Sequence, residues 1–153
     1  MMSRSIVTKG TDETEMLGAR LAASLKRGYI VALTGPLGSG KTVFAKGLAR
    51  GLGVRGADRV NSPSFVILKE YNGRLPLYHF DVYRFDRASE LSSVGFREYF
   101  YGDGICVIEW ADKIREFLPD EYLKVNITIL GPDSRRFLFS SRGPEYEKVV
   151  KKL

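Results

Sequence analysis

The chain has 153 residues, 44% of them hydrophobic and 27% charged, an ordinary balance for a folded, water-soluble protein able to bury a sizeable core. Its net charge of +6 points to anionic partners (nucleotides, nucleic acid or acidic protein), although a solvated basic surface accounts for it equally well. No apolar run reaches the roughly 20 residues that span a bilayer, and no signal-peptide pattern opens the chain. The single cysteine excludes an internal disulfide, so one cytoplasmic domain over residues 1–153 is expected.

In chain order, residues 5–8 read as a short first strand. Thr11-Asp12-Glu13-Thr14-Glu15 supplies an N-cap and first-turn acids for a helix. That helix carries Leu17, Leu21 and Leu25 on one face and can end at Gly28. Residues 29–34 form a β-branched apolar run of the kind buried on both faces of a sheet. It leads directly into Gly35-Pro36-Leu37-Gly38-Ser39-Gly40-Lys41-Thr42, after which a helix is expected from about Lys41 to Leu52. Residues 65–71 and 75–80 flank Asn72-Gly73, a two-residue hairpin signal, with Pro76 unable to donate to a ladder partner. Residues 105–109 make another buried strand, in which Cys106 reads as a small core residue rather than a nucleophile. Residues 111–118 suggest a short helix stopped by Pro119. A second hairpin joins residues 122–130 to 136–141 through Gly131-Pro132-Asp133-Ser134, and a terminal helix starts near Pro144.

The stretch at residues 35–42 fits G-x-x-x-x-G-K-[ST] at every fixed position, with a strand before it and a helix after it. Without Cβ atoms, Gly35, Gly38 and Gly40 let successive backbone N–H groups turn inward toward a phosphate, and the helix start adds its positive end. Lys41 can reach the β- and γ-phosphates of a nucleoside triphosphate, and the Thr42 hydroxyl can ligate Mg²⁺. Ser39 and Val43 complete the stretch expected against the nucleotide. Strands outnumber the helices between them, which predicts an α/β, P-loop NTPase-like fold of three layers with a mixed central sheet.

A magnesium-dependent site also needs acids, and two stand at predicted strand ends where ligands collect in such sheets: Asp81 and Glu109. Ser62-Pro63-Ser64 is either a switch-like segment with hydroxyls for phosphate or metal, or an ordinary turn. His79, the sole histidine, reads as a hydrogen-bonded structural group more readily than as a proton carrier, because phosphoryl transfer asks mainly for positioning and charge. Trp110 fits either a core position or an exposed contact.

Taken together, the glycine loop, Asn61-Ser62-Pro63-Ser64-Phe65, His79-Phe80-Asp81-Val82-Tyr83-Arg84 and Ile108-Glu109-Trp110 resemble the TsaE (YjeE) family. These are small bacterial ATPases of tRNA threonylcarbamoyladenosine synthesis. The resemblance extends over nearly the whole chain, including Thr11, Thr14, Leu17 and Gly18. It implies an ATP- and Mg²⁺-dependent subunit partnering TsaB and TsaD, the latter transferring a threonylcarbamoyl group to adenosine 37 of tRNAs that read ANN codons. Contact with tRNA inside that complex is a further possibility on the basic surface. Carried over by position, Lys41 holds phosphates, Thr42 binds Mg²⁺, Asp81 is the acidic metal-site residue and Glu109 the metal-linked, water-positioning glutamate. Thr11 matches a position near the base. The family usually has SPT where this chain has Ser62-Pro63-Ser64, which keeps the hydroxyl and drops a methyl.

Other readings of the loop meet missing parts. A small-molecule P-loop kinase usually brings a helical lid, and a hairpin follows the loop helix here. A GTPase switch lacks its N-K-x-D and D-x-x-G segments in this chain. A non-catalytic nucleic-acid module is supported by charge alone.

Overall fold

Seven strands form one mixed sheet in the computed structural model, which describes residues 1–62, 68–85 and 95–153. They are β1 (Ser3–Lys9), β2 (Ile30–Thr34), β3 (Leu68–Asn72), β4 (Pro76–Asp81), β5 (Ile105–Glu109), β6 (Tyr122–Ile129) and β7 (Ser134–Arg142). Their order across the sheet is β1-β7-β6-β2-β5-β4-β3. The central strand β2 runs parallel to β5 and β6, and β4 runs parallel to β5. The two hairpins and β1 add antiparallel pairs at either side.

Side-chain alternation along these strands gives each face its own core. Val31 and Leu33 of β2 and Ile105 and Val107 of β5 pack with helices α1 (Thr11–Ala22), α2 (Lys41–Gly51) and α4 (Pro144–Lys151). Ile30 and Ala32, with Cys106 and Ile108, pack on the opposite face beneath α3 (Phe96–Phe100) and a 3₁₀ segment at Ala111–Phe117. The result is the expected three-layer α/β architecture. Among the described residues no helix is long and apolar enough to cross a membrane.

Several elements differ locally from the sequence expectation. Gly10, not Thr11, occupies the N-cap of α1, leaving Thr11 as the first helical residue. The helix stops at Ala22 because Ser24 and Leu25 tighten to bonds three residues back, yet Leu25 still enters the core. Asn72 pairs with Pro76, so the first hairpin turns through Gly73-Arg74-Leu75 rather than through two residues. Tertiary contacts select that turn: the Arg74 amide donates to Leu52 O at 2.6 Å, and its guanidinium donates to Ala22 O at 2.9 Å. Pro76 opens β4, where a missing donor costs little. The expected helix at 111–118 is 3₁₀ and kinked at Ile114. The part of the first hairpin at residues 65–67 lies outside the described residues.

Helices α1 and α2 touch backbone to backbone. A Cβ on Gly47 would stand 2.1 Å from Glu15 O, and one on Gly18 would stand 2.5 Å from Phe44 O. This contact ties the start of α1, and so Thr11, to the helix that follows the glycine loop.

Candidate active site

Strand β2 ends at Thr34 and the chain then turns through the glycine loop into α2. Gly40 caps that helix with φ 106°, and Gly38 has φ 76°, left-handed values that L side chains rarely adopt. Space is open around both positions, where a Cβ would meet no atom within 4 Å. The loop is therefore a cradle shaped by missing side chains, with the N-terminus of an 11-residue helix at its base.

The alternation that buries Leu77, Ile105 and Val107 on the α2 side brings His79, Asp81 and Glu109 to that same side. Asp81 and Glu109 are register partners at the carboxyl ends of β4 and β5. The Thr42 hydroxyl donates to Glu109 Oε1 at 2.9 Å, and Glu109 Oε2 lies 2.6 Å from His79 Nε2. Asp81 accepts from the Ser62 hydroxyl through Oδ2 and from the Tyr83 amide through Oδ1 at 2.9 Å. Ser62 thus joins the predicted acid, whereas Pro63 and Ser64 lie outside the described residues.

Lys41 is 5% exposed, and its ammonium donates to Gly35 O at 2.7 Å, Pro36 O at 2.9 Å and Ser39 Oγ at 3.3 Å. Burial pulls its pKa below the ordinary lysine value, opposed by the nearby Glu109 and Asp81 carboxylates. The indole of Trp110 lies over this ammonium, 3.9 Å from Nζ to the ring centroid, and packs against Tyr83. Trp110 adopts φ 63°, the only positive value at a non-glycine among the described residues. The sequence left Trp110 between core and contact; it is half-buried, as a cover over the lysine.

A cavity of about 440 Å³ opens at this point, lined by residues 37–43 together with Ser62, Asp81, Tyr83, Arg84, Glu109 and Trp110. Gly35 lies behind it, at the strand-to-loop junction. A second hollow of about 130 Å³ adjoins it across Gly38, Ser39, Gly40 and Val43, and is completed by Thr11, Pro132, Asp133 and Arg135. Every predicted site residue that is described therefore lies in or against one continuous groove.

Arg135 is the residue that sequence reasoning missed. Its guanidinium donates to Gly38 O and Ser39 O in the glycine loop and to Gly131 O and Ser134 O in the β6–β7 turn. It staples the two loops that flank the smaller hollow. Arg135, the first of two arginines after the turn, matches no motif, so nothing in a single sequence singles it out.

Among the described residues no group of three or more His, Cys, Asp or Glu side chains could hold a metal by itself. A hydroxyl beside one or two carboxylates instead suits Mg²⁺, which keeps several waters and shares its coordination with substrate phosphates. The donors present thus fit that ion alongside a nucleotide.

Known proteins resemble this one throughout. Residues 8–137 match the family model described as threonylcarbamoyl adenosine biosynthesis protein TsaE. The tRNA threonylcarbamoyladenosine biosynthesis protein TsaE of Bacillus subtilis is 46% identical over 147 residues, 95% of this chain and 90% of that protein. Its namesake in Treponema pallidum is 38% identical, covering 84% of this chain and 94% of that protein. The crystal structure of Bacillus subtilis YdiB superposes with a TM-score of 0.83 at 39% identity, covering 99% of this chain and 93% of that one.

Proposed function

The chain belongs to the TsaE family of tRNA threonylcarbamoyladenosine biosynthesis proteins, and we propose that within this pathway it binds and hydrolyses ATP as a subunit acting with TsaB and TsaD. The observation that carries this reading is the meeting of Lys41, Thr42, Asp81 and Glu109 around one cavity at the mouth of the glycine loop.

The loop amides and Lys41 bind the phosphates, and Thr42, Asp81 and Glu109 are the groups that would hold Mg²⁺. That ion, when bound, neutralises charge on the phosphates. Glu109, fixed between Thr42 and His79, orients the attacking water and accepts its hydrogen bond. Asp81, held by Ser62 and the Tyr83 amide, keeps its carboxylate at the same rim. The adenine ring is assigned to the hollow between Thr11 and the 131–134 turn, which abuts the loop.

The groove is open, and Leu37 at its lip is 76% exposed. A partner that covered this mouth would shut water out of the site. The chain is therefore read as one P-loop ATPase unit over residues 1–153, weak alone and activated when the TsaB–TsaD dimer covers this mouth. The modification it serves is threonylcarbamoylation of adenosine 37 in tRNAs reading ANN codons.

Phosphate release with ATP and with GTP, for the chain alone and with TsaB and TsaD added, tests the reading. ATP turnover should rise on addition of the dimer, and GTP should neither match it nor displace labelled ATP at equal concentration. No hydrolysis in any mixture would remove this reading, and no stimulation by the dimer together with transfer to a small acceptor would replace it with the kinase.

A further inference from the structure

His79 is the only histidine of the chain, and its ring is fully buried in the sheet. Nε2 lies 2.6 Å from Glu109 Oε2. Nδ1 is buried with no hydrogen-bond partner among the described residues. A buried N–H without an acceptor is costly, so the proton belongs on Nε2, donated to the carboxylate, and Nδ1 is the bare lone pair. The polar contact of this imidazole is thus spent on one acid, and that acid faces the cavity.

Glu109 is itself 2% exposed, and its two oxygens are held from opposite sides, Oε2 by His79 and Oε1 by Thr42. The second contact is temporary if Thr42 turns to a metal when nucleotide binds. The first comes from a group that does not line the cavity: His79 stands two residues before Asp81 on β4, beside β5, and is not among the lining residues.

We propose that His79 is a positioning residue for Glu109: it fixes the carboxylate by one oxygen so that the other keeps its aim at Thr42 and the cavity while nucleotide comes and goes. This rests on the reading of Glu109 as the water-orienting group. It goes beyond that reading by naming what sets the angle of the carboxylate. The same logic governs metal-site ligands, whose outer partners orient them and whose loss damages function without removing the ligand.

The first measurement needs no turnover. Selective ¹⁵N-histidine labelling gives a single imidazole, expected to be protonated at Nε2, with a downfield N–H proton that moves in Glu109→Gln. A ring protonated at Nδ1 alone, or a signal indifferent to Glu109→Gln, would overturn the proposal. The second measurement follows ATP turnover with the partner dimer present. His79→Leu fills the space without a donor and should lower kcat by at least about tenfold, the usual cost of losing an outer orienting group. At saturating Mg²⁺ its KM for ATP should stay close to the parent value, because the loop amides and Lys41 that hold the phosphates are unchanged. His79→Gln, whose amide can donate from near the Nε2 position, should restore most of kcat. Equal loss in both variants, or a loss confined to KM, would mean that His79 merely supports the fold. A parent chain without turnover would take down the hydrolytic reading, and the imidazole signal alone would then decide whether His79 holds Glu109.

Discussion

At the scale of single residues the site is governed by charges placed where water is scarce. Lys41→Ala should weaken ATP binding by roughly ten- to a hundredfold, the worth of a charge-assisted hydrogen bond, and abolish hydrolysis. Calorimetry showing an unchanged affinity would remove the central claim. Glu109→Ala should keep ATP binding and lose turnover by roughly a hundredfold or more, because orientation of the water matters in the transition state. Parent-like hydrolysis would make Glu109 structural. That the glycine loop, Asp81 and Glu109 would meet at one mouth was legible because each follows a rule of position, at the end of a buried strand. Arg135 and the His79–Glu109 contact were not. The two loop carbonyls that Arg135 holds, Ser39 O and Gly38 O, lie 96 and 97 residues away in the chain, and no local spacing encodes such a meeting.

At the scale of elements, the contact between α1 and α2 makes a prediction whose sign opposes helix propensity. Alanine normally favours a helix over glycine by roughly 0.8–1 kcal/mol. At Gly47 a Cβ would meet the α1 backbone at 2.1 Å, so Gly47→Ala should destabilise by about 1–3 kcal/mol through overpacking. The denaturant midpoint should fall, and nucleotide affinity with it, since Thr11 starts the helix that would be pushed away. A raised midpoint would mean that α1 shifts freely. Apolar periodicity and flanking glycines made these helices legible from the sequence. The ends were less so, because Gly10 takes the cap from Thr11 and the first hairpin is set by its docking on the end of α2.

At the scale of the whole molecule, each face of the sheet buries an acid in its neutral form. Burial pushes the Cys106 thiol, on the α3 side, up to about 12, and the Tyr146 phenol, on the α4 side, also up to about 12. In both cases the folded pKa lies above the unfolded one, so the stability they contribute is complete below the unfolded values, near 9.0 and 10.0. It is lost as pH rises toward 12. The thermal midpoint should therefore drop through that window, and folded Cys106 should resist thiol reagents at neutral pH. A flat midpoint there, or rapid labelling, would contradict the burial. A mixed sheet was legible from the count of strands against helices. The order of the strands was not, because β2 finds both parallel neighbours far along the chain. One local arrangement reaches furthest. Lys41 already spends its donors on two carbonyls and a hydroxyl of its own loop, so the loop carries an internal competitor for the phosphate that the proposed function puts there. On the proposed function, nucleotide entry would be an exchange of partners rather than the filling of a void, and any affinity measured on the bare protein would be a difference between two occupied states. A protein that merely loosened the lysine from its loop would tighten ATP binding without touching ATP.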